Sequence, residues 1–384
     1  MDTQAKPLTV YTDRSRIVAR QECARMGYLQ YSANGIGWQR NHTALPLATG
    51  IAVHNALAQL LMGQYLEDVI RNLEQEYREL LLAGRDENDA AVAFLLKEQT
   101  FLVSGMVRTW ASYRLPEIHR DYTIATAPDG GLLVEKEFTC NLGNGLFAML
   151  RMDAVLRHRG TKKLVVWDFK TLAYPSQDWA NQWAHNPQTY LYLYAIRQLM
   201  GEEPDGMVYE GLIKGVRKVD KDLGFAVHNS PYAQVYTNGS TYQVPYTSKK
   251  EWSKHYAWQE RSPYDYWEGI LSPLFEATPS LATNLFCVMP PVNPARWEVE
   301  RWLKQVQWAE ALNQQYLMEV NAVEGAEKQE LVDTYFPTTE GRCFKYGPDN
   351  KCMFTDVCFT EDPRIEEMGF IPRVPHHTTE TEGV

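Results

Sequence analysis

Residues Leu150–Tyr194 read LRMDAVLRHRGTKKLVVWDFKTLAYPSQDWANQWAHNPQTYLYLY, and this stretch decides the fold. It holds two apolar, strand-like runs, each ending in a carboxylate, and then a helical pattern carrying a glutamine and several tyrosines. The run Leu164–Trp167 (LVVW) combines β-branched and aromatic residues, as a buried strand does. Side chains alternate along a strand, so Asp168 and Lys170 share one face and Phe169 takes the other. An antiparallel neighbour carrying Asp153 can set its carboxylate beside Asp168. Two acidic oxygens, a backbone carbonyl and water suit a hard cation such as magnesium or manganese. An ammonium beside that cation, here Lys170, can orient a water nucleophile and stabilise negative charge on phosphate. A solvated hairpin also carries D-x-K triplets by chance, so the rest of the chain must decide.

Working outward, LLVEKEF (132–138), LFAMLRMDAVLRH (146–158) and KKLVVWDFK (162–170) form three successive strand patterns. Pro128-Asp129-Gly130-Gly131 precedes them, and Asn144-Gly145 and Arg159-Gly160 separate them, so they read as an antiparallel meander. A helix from about Ser176 to Met200 and a fourth strand, Gly206–Ile213, follow. Upstream, Thr12 or Asp13 caps a helix through RSRIVARQECARMGYLQY, which contains Cys23. A second helix starts at about Thr49 with His54 in its first turns, a charged helix follows, and another runs from about Asp89 to Tyr113. The expected fold class is α/β (α+β): a mixed central sheet of about four strands flanked by helices, with helical N- and C-terminal elaborations.

Periodicity weakens from Val219 to about Asn293, where tyrosines and tryptophans sit beside lysines. Such aromatics either pack beneath a long loop or stack on single-stranded bases. Pro294 opens another helix, whose Trp297, Trp302 and Trp308 read as a packing face. The organisation is then 1–130 N-terminal helical region, 131–218 core, 219–293 aromatic-rich elaboration, 294–360 C-terminal helix and cysteine segment, and 361–384 tail. The tail from about Glu380 reads as disordered, and His376 and His377 as incidental.

At 45% hydrophobic and 22% charged, the chain is a globular protein rather than a disordered one. No window of eighteen consecutive apolar residues and no signal-peptide core is present, so the expected location is the cytoplasm. A net charge of −10 argues against broad coating of duplex DNA, though not against a local basic channel. Candidates for that channel are Lys162 and Lys163; Lys214, Arg217, Lys218 and Lys221; and Lys249 and Lys250. No phosphate-binding G-x-x-x-x-G-K-[ST] motif occurs, so any ATP motor would be a separate partner. Of six cysteines, Cys343, Cys352 and Cys358 crowd into sixteen residues, which points to metal ligation. Cys140 and Cys287 read as buried free thiols.

Four motifs now stand in order: Gly50-x-x-x-His54, Asp153, Asp168-Phe169-Lys170 and Gln188-x-x-x-Tyr192. Together they resemble the PD-(D/E)XK nuclease superfamily in its RecB-like branch, over residues 50–192. The resemblance implies a restriction-endonuclease-like core. It implies that Asp153 and Asp168 bind Mg²⁺ or Mn²⁺, with His54 and the Phe169 carbonyl completing the coordination. Lys170 would position the attacking water, Gln188 would brace Lys170 or the phosphate, and Tyr192 would contact the DNA backbone. Glu135 or Glu137 resembles a further acidic position of many members. Leu150 departs from the glycine that members often place three residues before the first aspartate.

Outside the core, Cys23 with Cys343, Cys352 and Cys358 resembles the four-cysteine iron–sulfur site of AddB-type nuclease subunits and CRISPR-adaptation exonucleases. The C-x8-C-x5-C spacing matches them in its last interval, while its first is longer than their usual C-x2-C. Four thiolates suit a [4Fe–4S] cluster or tetrahedral zinc, and the lack of C-x-x-C knuckles favours the cluster. The expected function is metal-dependent hydrolysis of phosphodiester bonds in single-stranded DNA or at DNA ends, in recombination, repair or mobile-element processing. The partners expected are DNA and a separate helicase or recombination protein. The other readings are a non-catalytic nucleic-acid-binding subunit and a duplex endonuclease.

Overall fold

The computed structural model describes residues 10–83, 85–221, 224, 226–239, 241–244, 252–257, 260–345, 351–361, 363–375 and 377. A strand β1 (Val10–Thr12) leads into α1 (Arg14–Glu22), α2 (Ala24–Tyr31) and β2 (Trp38–Arg40). Next come α3 (Leu45–Leu61), α4 (Leu66–Leu82), α5 (Ala90–Tyr113) and α6 (Leu115–Asp121). The sheet elements are β3 (Tyr122–Ile124), β4 (Val134–Gly143), β5 (Leu146–His158) and β6 (Leu164–Leu172). Two helices, α7 (Gln177–Asn181) and α8 (Pro187–Met200), precede β7 (Gly206–Ile213). Then follow β8 (Val216–Val219), β9 (Ala226–Asn229), β10 (Gln234–Thr237), β11 (Tyr242–Gln243) and β12 (Ser253–Tyr256). Short helices α9 (Pro263–Tyr266), α10 (Ser272–Ala277) and α11 (Pro279–Thr283) lead to β13 (Phe286–Val288). The chain closes with α12 (Arg296–Asn321), α13 (Gly325–Tyr335), α14 (Glu340–Cys343), α15 (Thr355–Cys358) and β14 (Phe370–Pro372).

The fold is mixed α/β. Its central sheet is larger than the four strands expected: among the described residues it has seven, ordered β1-β5-β6-β7-β13, with β3 and β4 along the other edge of β5. The meander β4-β5-β6 is antiparallel throughout, while β7 runs parallel to β6 and β1 parallel to β5. Asn144 and Gly145, both at positive φ (54° and 77°), make the tight turn between β4 and β5. β13, inside the stretch expected to be an elaboration, returns to this sheet beside β7.

One irregularity positions the site. On one edge, β5 pairs with β1 only over Leu146–Ala148 and with β6 only over Ala154–Arg157. Between those registers the edge is open, and Asp153 stands at its end. β6 continues past the fork and pairs with β7 as far as Leu172, carrying Asp168 and Lys170 away from β5. The strands therefore splay where the two aspartates lie.

Helices cover both faces. α3, α4 and α5 pack on one through Val53, Leu57, Val103 and Trp110 against Trp167 and Phe169. α8 and α12 pack on the other through Leu191, Ile196, Val299 and Trp302 against Val166 and Tyr209. A third cluster joins α1 and α2 to the C-terminal segment through Met26, Tyr28, Phe336, Phe354 and Phe370. By length and composition, Ala90–Asp121 could cross a bilayer, but 56% of its most apolar window is buried inside the protein.

Several local expectations are corrected. The single helix through Cys23 is two helices, broken at Cys23 itself, whose backbone is extended (φ −161°, ψ 117°). The break folds α2 back over α1 so closely that a Cβ at Gly27 would lie 2.5 Å from Arg20 Cγ. α3 begins at Leu45 with Pro46 in its first turn, which leaves His54 in mid-helix rather than near the start. The helix expected over 176–200 is split before Pro187, which opens α8. In the aromatic-rich stretch Tyr232, Tyr256, Tyr266 and Trp267 are buried, so those rings pack rather than stack on bases. Of the three α12 tryptophans only Trp302 is buried; Trp297 and Trp308 face solvent. The tail from Glu380 and the residues Lys249 and Lys250 lie outside the described residues.

Candidate active site

The fork leaves backbone groups without ladder partners, and side chains take their place. The Phe169 N–H donates to Asp153 Oδ2 (2.7 Å), so a carboxylate substitutes for the missing strand. The Arg151 carbonyl, in the open stretch of β5, accepts from the Tyr192 hydroxyl of α8 (3.1 Å). Tyr192 is buried, and its hydroxyl is engaged with that carbonyl inside the protein. Burial, then the charges of Asp168 and Asp153, hold its pKa far above the ordinary tyrosine value.

Asp168 is buried on the α8 side of the fork. Gln188 Nε2 donates to its Oδ1 (2.5 Å), and the Lys170 ammonium pairs with its other oxygen. The Lys170 ammonium also lies over the Trp183 ring, 5.6 Å from the centroid, and 6.0 Å from that of Tyr209. Those two rings stack on each other at 4.0 Å. Burial raises the Asp168 pKa against the opposing pull of Lys170. Gln188 thus braces the aspartate. Trp183 and Tyr209 were not legible as site residues, since no spacing ties them to the D-x-K triplet.

On the opposite side, α3 brings His54 Nδ1 to 3.3 Å from Asp153 Oδ2. The His54 ring is edge-on to Phe169, which packs against Trp110. Burial is the largest single effect on His54 and pulls its pKa down, but the charge and hydrogen bond of Asp153, with the charge of Asp168, together make the net shift upward. Burial acts upward on Asp153, yet His54 and Lys170 bring its pKa below the ordinary value.

Glu135 is the third member. One ligand atom each from His54, Glu135 and Asp153 lie within 4.8 Å of one another. Glu135 sits opposite Asp153 across the β4–β5 pair but at φ 48°, a left-handed backbone inside a strand. Its carboxyl is pushed up to about 7, first by burial and then by the Asp153 charge. Arg151 Nε lies 3.2 Å from it. Glu137, which the sequence could not separate from Glu135, bonds instead to His377 Nδ1 at 2.5 Å. His377 is therefore engaged rather than incidental. Two carboxylates and an imidazole converging in a part-buried notch make a donor set that fits a divalent cation, which would relieve their repulsion. Asp168 stands beside this trio, held by Lys170 and Gln188 rather than grouped with it.

Among the described residues, some of those named for a basic channel are engaged or buried elsewhere. Lys214 is buried, with its pKa lowered by that burial, and Arg217 pairs with the buried Glu98 (3.3 Å). Lys163 pairs with Asp205 (2.6 Å), while Lys162, Lys218 and Lys221 are exposed.

Far along the chain from this site, Cys23, Cys352 and Cys358 lie in the hydrophobic cluster that joins α1 and α2 to the C-terminal segment. Cys343 is perturbed by burial and by Cys352 and Cys23, and Cys358, pushed up to about 12 by burial, also feels Cys23, Cys352 and Cys343. The Cys352 N–H donates to the Cys343 carbonyl (2.8 Å). Among the described residues, no three of these sulfurs form a group as tight as that of His54, Glu135 and Asp153. The turn expected within YGPDNK falls mostly on residues outside the described ones. Cys140 is a buried free thiol as expected, and Cys287 a half-buried one.

A forked mixed sheet, with acids at the fork and a lysine two residues past the second aspartate, defines a class of phosphodiester-cleaving enzymes. The family model of the PD-(D/E)XK nuclease superfamily matches residues 14–359, and the chain belongs to that superfamily. No curated protein matches the chain.

Proposed function

We propose that this nuclease is a metal-dependent deoxyribonuclease acting on single strands or DNA ends, as an exonuclease in recombination, repair or mobile-element processing. The observation that carries the reading is the fork: Asp153, Glu135 and His54 on one side, Asp168 and Lys170 on the other. His54, Glu135 and Asp153 would hold the first divalent cation, Mg²⁺ or Mn²⁺, and Asp168 and the Phe169 carbonyl border the same space. When bound, that cation supplies Lewis acidity to the phosphate and lowers the pKa of water. Lys170, steadied by Asp168 and the Trp183 ring, places a fixed positive charge where negative charge develops on the phosphate. Gln188 fixes the Asp168 carboxylate, and Tyr192 keeps the fork open by satisfying Arg151. The net charge of −10 favours a narrow substrate path over a wide duplex footprint.

Cys23, Cys343, Cys352 and Cys358 we assign to a [4Fe–4S] cluster. Tetrahedral zinc, with Zn–S bonds of about 2.3 Å, draws its sulfurs within ~4 Å of one another. The spacing of these cysteines along the chain, without C-x-x-C knuckles, favours the cluster. Zinc remains the competing occupant. We place the enzyme in the cytoplasm, working beside a separate helicase or recombination protein.

The test is cleavage of end-labelled single- and double-stranded DNA with Mg²⁺, Mn²⁺ or chelator, using protein purified without oxygen. Lys170→Ala is expected to abolish metal-dependent cleavage, by at least a hundredfold, while the circular dichroism spectrum stays unchanged. A folded Lys170→Ala variant that cleaves like wild type would falsify the assignment. The product ladder gives polarity and separates exonuclease from endonuclease.

A further inference from the structure

The two tryptophans that α12 leaves in solvent lie on one line. Trp297, Arg301, Lys304 and Trp308 recur at steps of four, three and four, so they occupy one narrow stripe of the helix. Trp297 is 59% exposed and Trp308 69%, a large apolar area for a monomer to leave uncovered. The Arg301 guanidinium lies over the Trp297 ring, 4.8 Å from its centroid. Nearby acids on the helix are engaged elsewhere. Glu298 caps the Ala295 N–H (2.8 Å), Glu300 pairs with Arg296 (3.0 Å), and Glu310 is buried against Arg20. Among the described residues, neither Arg301 nor Lys304 has a carboxylate partner. On a chain of net charge −10, this ridge is locally cationic and aromatic.

Its ends have meaning. At the first, Glu298 lies 3.7 Å from His185, in the turn between Trp183 and Gln188. Trp183 is the ring beneath Lys170, and Gln188 holds Asp168. At the far end, Lys304 and Trp308 border a cleft of about 290 Å³ against Asn144 and Leu146 of the β4–β5 turn.

We propose that this stripe is a docking track for single-stranded DNA, running between the active-site turn and the β4–β5 hairpin. It rests on the nuclease reading and specifies its substrate. Indole rings stack on any base, at about 1–3 kcal/mol each, and the two cations meet the phosphates between them. A rise of 1.5 Å per residue sets the two tryptophans about 16 Å apart, the span of about five stacked nucleotides. Bases in a duplex are already stacked on each other and offer no face to the indoles, so the track selects single strands.

The experiment is fluorescence anisotropy of fluorescein-labelled (dT)20, (dT)4 and a 20-base-pair duplex with the full chain in chelator, so that binding is read without chemistry. Trp297→Ala/Trp308→Ala is expected to weaken (dT)20 binding at least tenfold more than (dT)4 binding. Arg301→Glu/Lys304→Glu is expected to flatten the salt dependence of (dT)20 binding by about 1.4 logarithmic units per decade. Both pairs are exposed, and circular dichroism verifies that they fold. Wild-type protein that cleaves DNA but binds (dT)20 as the Trp297→Ala/Trp308→Ala variant does overturns the track alone. The same holds if the double variant instead abolishes self-association with DNA binding untouched, since the face is then a protein interface. Wild-type protein that neither cleaves nor binds any of the three probes removes the nuclease reading beneath it.

Discussion

Glu135 concentrates the tension of the site in one residue. Its left-handed φ of 48° is a conformation that costs about 1–2 kcal/mol for a residue with a Cβ. Burial and then Asp153 push its carboxyl from 4.5 up to about 7. The native state thus binds this proton more tightly than the unfolded chain does. The stabilisation is complete below pH 4.5 and is lost as pH rises through 7, a swing on the order of 3 kcal/mol. Glu135→Gln removes the titration. In chelator, the denaturant midpoint of wild type is expected to fall between pH 5 and 8 relative to that of the variant. Parallel curves would mean that the carboxyl is fully solvated. In cleavage assays Glu135→Gln is expected to lose about 10–100-fold and Glu137→Gln less than about threefold. The sequence could not separate these two glutamates because a period-two reading assumes regular strand backbone, and the backbone is irregular at Glu135. By contrast strand alternation put Asp168 and Lys170 on one face, with Asp153 on a neighbouring strand, while His54 and Gln188 were named from the family's motifs; the fold brings all five to the fork.

At the scale of elements, the fork between β5 and β6 makes the site, and glycines set how closely its walls approach. Gly211 lies opposite Lys170 in the β6–β7 register. A Cβ there would meet Leu172 Cδ1 at 2.4 Å and Cγ at 3.2 Å, with the Trp179 ring at 3.3 Å. Gly211→Ala is expected to lose about 1–3 kcal/mol of stability and to shift β6 enough to lower cleavage. Gly50, the glycine of the histidine motif, faces Thr171, and a Cβ there would lie 3.9 Å from Thr171 Oγ1, in ordinary contact. Gly50→Ala is expected to fold at least as stably, gaining up to about 1 kcal/mol of helix propensity. Urea unfolding of the two variants compares them directly, and equal losses would mean that packing at Lys170 is not the sensitive point. The strands β4 to β7 were readable because each is long enough to show a pattern. β1, β3 and β13 have three residues apiece and exist through their pairing with β5 and β7, which no local window contains.

At the scale of the molecule, the chain is closed by contacts between its two ends. Arg25 pairs with Asp333 and donates to the Phe336 carbonyl (2.7 Å). Glu22 receives Arg342 (2.6 Å) and Lys345 (3.0 Å). Arg40 reaches the Met353 and Met368 carbonyls, and β2 pairs with β14. The crowding of Cys343, Cys352 and Cys358 near the C-terminus was legible, and the family resemblance added Cys23 to them. Which tryptophans of α12 are covered was not, because that depends on what packs beside the helix. The exposed ion pairs of the closure are individually weak, at about 0–1 kcal/mol each. A group bound to Cys23 and Cys343 would instead tie positions 320 residues apart. Restricting so long a loop in the unfolded chain is worth on the order of 5 kcal/mol. Cys23→Ser is therefore expected to lose bound iron and sulfide and to expose the segment after Pro337 to protease before the sheet is cut. Cys140→Ser, outside the group, is expected to keep both metal and protection. Metal analysis and limited proteolysis read by mass spectrometry follow the two effects separately. Iron retained in Cys23→Ser would remove Cys23 from the ligand set, and zinc in place of iron would change the occupant but not the clasp. Full protection in a wild-type protein free of both metals would leave the closure to the polar contacts and to β2–β14 alone.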